Sequence, residues 1–200
     1  SQETIDHYIN RTDPDLYPDV NWMDLITKDF AMNQRADITV NGGSDILRYA
    51  VVGSYYGEQG IFERDKSQSW KSGTHLNKFN LRSNVDINIT KTTQFGGYLQ
   101  EMNKMAISSD DAFSGAFETP PFIHPAYYKE DDNIYFPVVN QRVNPYVQVT
   151  QKGYATTSQS KIESLFALEQ DLKFITPGLK IKGIFSFDRY SWSGVTRSKT

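Results

Sequence analysis

The sequence predicts an all-β fold, an arc of about six antiparallel strands belonging to a larger transmembrane β-barrel. Three observations carry that reading. From Phe79 to Ile89 the odd positions hold Phe79, Leu81, Ser83, Val85, Ile87 and Ile89, and the even ones hold Asn80, Arg82, Asn84, Asp86 and Asn88. A period of two puts the two sets on opposite faces of a strand. The run is roughly eleven residues long, which matches a membrane-crossing strand better than the five or six residues usual in soluble proteins. Finally, short connections alternate with long ones, as in barrels that have tight turns at one mouth and long loops at the other.

The elements follow in order. Residues 1–20 are polar, carry Asp13-Pro14 and Tyr17-Pro18, and read as a loop. Asn21 to Ile26 reads as one helical turn with Asn21 as its N-cap. Strands are expected near 34–41, 46–56, 75–89, 93–104, 161–175 and 179–192, each alternating apolar with polar residues or rich in β-branched and aromatic ones. Gly42-Gly43-Ser44-Asp45, Thr90-Lys91-Thr92 and Thr176-Pro177-Gly178 are short turns. The connection at 57–73 is longer. The one at 106–160 is very long and irregular, with Pro120-Pro121, Pro125, Pro137 and Pro145. A loop of that length is expected to be functional or to cover something.

Composition narrows the field without deciding it. Apolar residues make up 38% of the 200 and aromatics 14%, a polar but aromatic-rich balance that suits a β-protein with two unlike faces. Mean hydropathy is −0.56, and no run approaches the roughly 18 apolar residues of a membrane helix, which leaves strand-built spans open. The net charge of −3 is spread over interspersed charges, so no nucleic-acid surface is expected. With no cysteine, disulfide frameworks and thiolate metal sites are excluded. The chain opens Ser1-Gln2-Glu3-Thr4 and closes just after an apolar-aromatic run, so both ends are expected to be cuts in a longer protein. Six strands with open edges do not stand alone in lipid, and closure takes at least eight.

Particular phrases then point to a family. Asn21-Trp22-Met23-Asp24 is followed by Gln34, Ile38-Thr39-Val40-Asn41-Gly42-Gly43, Tyr49, Ser54-Tyr55-Tyr56 and Gly60-Ile61. Asn80 to Asp86 (NLRSNVD), Leu168 to Leu172 (LEQDL) and Pro177-Gly178-Leu179 come next. In residues 17–105 and 144–192 the chain resembles the SusC/RagA family of TonB-dependent outer-membrane transporters of Bacteroidetes. The resemblance implies a 22-stranded barrel with an N-terminal plug. It also implies a SusD-like surface lipoprotein as partner, and TonB acting through an N-terminal segment outside this sequence. The cargo it implies is a large solute, an oligosaccharide or a peptide. It sets the fragment at the first extracellular loop, with 34–41 descending to a periplasmic turn at Gly42-Gly43. Membrane lipid would be the remaining partner. The alternative is a soluble β-sandwich module that binds glycan.

Candidate site residues follow from these readings. Arg82, Asn84 and Asp86 are expected to face the barrel lumen, where polar side chains are the rule. The long loop is the candidate for solute contact, through Tyr127, Tyr128, Tyr135 and Phe136. With Phe117, Phe122 and Tyr146 its aromatics are expected to pack together, to dock the lipoprotein partner, or to line the solute cavity. Tyr49, Tyr55, Tyr98, Tyr190 and Trp192 fit interfacial aromatic girdles, with stacking on sugars as the other reading. Asp110-Asp111 and Asp131-Asp132 match neither a calcium loop nor a placed pair of hydrolytic carboxylates, and read as solvated. His7, His75 and His124 are isolated, and no nucleophile elbow, P-loop or dinucleotide fingerprint occurs. No catalytic residue, metal or cofactor is therefore expected.

Overall fold

The computed structural model describes residues 1–64, 73–108, 112–137 and 144–198. Its main body is one six-stranded antiparallel sheet in the order β1-β2-β3-β4-β7-β8. These strands are β1 (Asn33–Gly43), β2 (Leu47–Gln59), β3 (His75–Asn88), β4 (Thr93–Ser108), β7 (Gly153–Asp171) and β8 (Lys180–Ser198). Each strand pairs with the one next to it in the meander, so every connection is a hairpin of shorter or longer reach. A second, two-stranded sheet pairs β5 (Tyr128–Glu130) with β6 (Asn133–Tyr135). The fold is thus all-β, with a sequential antiparallel arc at its centre.

The strands are longer than the alternation alone indicated. β7 and β8 run 19 residues each. β7 begins at Gly153, eight residues before the alternation becomes legible, because Gly153 to Ser160 is Thr- and Ser-rich on both faces. At its other end β7 stops at Asp171. Leu172 to Leu179 forms the turn, closed by Leu172 N–H donating to the Leu179 carbonyl at 2.9 Å. Leu172 and Phe174 therefore belong to the turn and not to the strand face expected for them.

Two stretches read as irregular are structured. Residues 2–10 form α1 (Gln2–Asn10), capped by the Ser1 hydroxyl, which accepts from Thr4 N–H at 3.3 Å. Arg11 closes it in the left-handed conformation, φ 52°. Ile5, Tyr8 and Ile9 share one face of this helix, but no residue of it is buried, and nine residues rich in polar side chains give only a short periodic signal. The connection from β4 to β7 is likewise not a plain loop. It carries α3 (Ala112–Glu118), the β5–β6 hairpin and α4 (Pro145–Thr150).

α2 (Trp22–Ile26), α3 and α4 pack on one another at the long-loop end of the sheet. The buried apolar side chains among the described residues lie here: Trp22, Ile26, Ala116 and Val149. Asn21 caps α2 as expected, accepting from Asp24 N–H. Asn144 caps α4, accepting from Tyr146 and Val147 N–H, and donates to the Ala126 carbonyl at 2.7 Å. Backbone bonds tie the cap to the strand ends: Lys28 N–H to Ile61 O at 2.8 Å and Glu63 N–H to Ile26 O at 2.7 Å.

Candidate functional site: a sheet with two faces

Residues opposite one another in an antiparallel register share a face, and alternate residues change face. The register therefore sorts the whole sheet. One line across it reads Val51, Ser83, Leu99, Ser164, Phe187 from β2 to β8; the next of the same face reads Tyr49, Val85, Gly97, Phe166, Phe185. Ile38 and Val40, Leu81, Phe79, Ile87, Phe95 and Leu168 fall on that face too. It is apolar from β1 to β8. Among the described residues none of its large side chains is buried: Phe79 and Phe187 are 55% exposed and Phe185 is 65% exposed. The Ser164 hydroxyl on this face is satisfied internally, donating from Oγ to the Phe187 carbonyl at 2.6 Å.

The opposite face is polar. Arg82, Asn84 and Asp86 stand on it, in line with Val52, Ala50 and Arg48 of β2 and with Gln100, Tyr98 and Gly96 of β4. Arg35–Asp37 (2.7 Å), Lys161–Glu163 (2.7 Å) and Lys180–Glu169 (2.9 Å) form ion pairs here. A shallow cavity of about 650 Å³ lies over its lower end, lined by Arg48, Asp86, Tyr98, Glu169 and Lys182 among others. Among the described residues the larger aliphatic side chains on this face are Val52, Leu76, Leu165 and Ile184.

The edges of the apolar band are not square to the strands. The pairs that close the three short turns are Gly43–Arg48, Asn88–Gln94 and Asp171–Lys180. Followed across the register, Arg48 stands level with Asp86, Gly96 and Ala167. The second turn thus lies two residues beyond that level and the third lies four. The upper edge descends in the same sense. Its last aromatics on β2 and β3 are Tyr55 and Phe79, which face each other. On β8 it is Phe187, which is level with Val51, four residues below Tyr55, and is followed on the same face by Arg189. Two parallel boundaries therefore cross the sheet, stepping about one residue per strand. With about 3.3 Å of rise per residue and about 4.8 Å between strands, the strands are inclined by about 35° to the normal of that slab. From Leu47 to Tyr55 the slab is then about 22 Å thick.

The register also sorts the aromatic residues of the strands. Tyr49 and Tyr55 lie on the apolar face. The Tyr55 ring sits 5.0 Å from Phe79, and its hydroxyl reaches the polar line above, donating to Asn77 Oδ1 at 2.9 Å. Tyr98, Tyr190 and Trp192 lie on the polar face, since they share lines with Asn84, Lys161 and Gln159. These three therefore do not lie on the apolar face, where the expected girdle would have placed them.

The loop aromatics are brought together in part. Tyr127 and Phe136 pack on Tyr146 with ring centroids at 5.7 and 6.1 Å, and Tyr128 faces Tyr135 across the β5–β6 register. Phe117, Phe122 and Tyr135 are exposed. Asp131 and Asp132 form the exposed turn of that hairpin, whereas Asp110 and Asp111 lie outside the described residues. His124, read from the sequence as isolated, is buried edge-on to Trp22 at 5.2 Å with Nδ1 2.8 Å from the Pro125 carbonyl oxygen. No helix among the described residues is long and apolar enough to cross a membrane. The sequence matches no protein-family model and no curated protein.

Proposed function

We propose that this chain is an arc of the wall of an outer-membrane transporter of the SusC/RagA type, taking up a large solute, an oligosaccharide or a peptide. The observation that carries this is the uncovered apolar band between two parallel, inclined boundaries. A strand inclination of 35–45° and an apolar band about 25 Å tall belong to outer-membrane barrels. The apolar face then meets lipid, and the face with Arg82, Asn84 and Asp86 lines the interior. The three short turns mark the periplasmic side, and the helical cap with its long connections faces outward. The unpaired outer edges of β1 and β8 would continue into neighbouring strands, since a bare 19-residue edge has no hydrogen-bond partner in hydrocarbon.

In this reading the solute is moved without covalent change. TonB supplies the drive through a segment outside this sequence. A SusD-like lipoprotein would meet the outward cap, where Phe117, Phe122 and Tyr135 are exposed. The soluble sandwich reading needs a second sheet over the apolar face, and the two three-residue strands β5 and β6 are too short to supply one. Fractionation tests the proposal. The full-length protein is expected in the detergent-requiring outer-membrane fraction, with the slow-to-fast gel shift of a heat-unfolded barrel. Recovery as a monodisperse soluble protein without detergent contradicts it.

A further inference from the structure

Resting on that reading, we infer that Trp192 and Tyr190 form a stacking platform for the rings of a neutral oligosaccharide on the interior face, at the outward mouth. Both lie on the polar face, away from the apolar band, so contact with lipid does not explain two large aromatic side chains there. They stand two residues apart on β8, so their rings are neighbours along one strand. Their height is set by the register. They lie beyond Arg189, the residue that ends the apolar band on this strand, and so at the rim.

Gly194 shapes the platform. A Cβ at that position would lie 3.0 Å from Trp192 Cη2 and 3.2 Å from Cζ2. The indole therefore leans over bare backbone, and its far side stays open to the interior. Across the register Trp192 faces Gln159 and Tyr190 faces Lys161, and the Lys161 charge is matched by Glu163 at 2.7 Å. An aromatic surface flanked by an amide and a compensated ion pair suits a ligand with apolar ring faces, many hydroxyls and no net charge. A sugar ring has that character, whereas a charged peptide would meet no uncompensated partner among these residues.

The test uses the full-length transporter in detergent micelles, titrated calorimetrically with maltohexaose, xylohexaose and cellohexaose. At least one of the three is expected to bind. Trp192→Ala is expected to weaken that binding by about tenfold or more, and Trp192→Phe by only about threefold, since the smaller ring keeps most of the stacking. Gly194→Val, which displaces the indole without removing it, is expected to weaken binding as well. Each variant is checked for the heat-dependent gel shift, which reads barrel folding separately from binding. Wild-type affinity in a folded Trp192→Ala barrel overturns the platform. So does a folded wild-type transporter that binds none of the three sugars. Failure of the wild-type protein to reach the outer membrane would instead overturn the transporter reading itself.

Discussion

At the scale of single residues, the decisive comparison is between two positions in one line of the register. Val51 and Phe187 are level across the sheet, yet the inclined boundaries put Val51 in mid-band and Phe187 near the upper edge. An arginine at the bilayer midplane costs about 2–4 kcal/mol and one near the interface about 0–1 kcal/mol. We therefore predict that Val51→Arg destabilises the folded barrel by about 2–4 kcal/mol relative to Val51→Ala, and Phe187→Arg by about 0–1 kcal/mol relative to Phe187→Ala. Equilibrium unfolding in lipid vesicles measures both. Equal costs would mean that depth follows the register line and that the strands are not inclined. Tyr55 offers a second check. Its hydroxyl donates upward to Asn77 at 2.9 Å and accepts from Gln34 Nε2 at 3.3 Å while its ring stays in the band, so Tyr55→Phe, which removes both bonds, should cost about 1–3 kcal/mol at about 0.5–1.5 kcal/mol each. Which residues share a face was legible from the sequence, because period two needs no knowledge of partners. What was not legible is the height of each residue. That depends on the offset between strands: Tyr190 and Trp192 share the parity of Lys182 and Asp188, so their face was legible, but their position beyond the upper boundary was not.

At the scale of elements, the sheet and the cap are held in different ways. The strands are fixed by continuous ladders, while α2, α3 and α4 depend on four buried apolar side chains and on a few side-chain caps. Asn144 is the most exposed to change in function, though itself 1% accessible, because one amide caps α4 and also holds the chain at Ala126. Asn144→Ala is predicted to cost the cap about 0.5–2 kcal/mol. The readout is faster amide exchange at Tyr146 and Val147, with exchange in β2 and β3 unchanged. Unchanged exchange at Tyr146 and Val147 would show that α4 does not depend on this side chain. The start of α4 is written in the sequence as Asn144-Pro145, an N-cap followed by proline in the first turn. The mass of prolines around it made the whole connection read as irregular. The β5–β6 hairpin was hidden for a different reason: three-residue strands give no period. α1 is short and mostly polar, and its Ile5, Tyr8 and Ile9 face, though at helical spacing, buries nothing; the Ser1 cap and the Gln2–Asp6 bond at 3.0 Å are local features that periodicity does not register.

At the scale of the whole molecule, the central claim is that the apolar face meets lipid and the polar face meets the interior. The absence of cysteine makes this directly measurable, since each introduced cysteine is the only label site within these 200 residues. Nitroxide labels placed singly at Val51, Val85, Phe166 and Phe187, and at Asn84 and Lys182 opposite them, are read in the full-length protein in vesicles. Access of oxygen and of a water-soluble nickel complex gives both the face and the depth. The account predicts oxygen-rich, nickel-poor surroundings at Val51, Val85 and Phe166, a shallower position at Phe187, and nickel access at Asn84 and Lys182. Free access of the nickel complex to Val51, Val85 and Phe166 would contradict it.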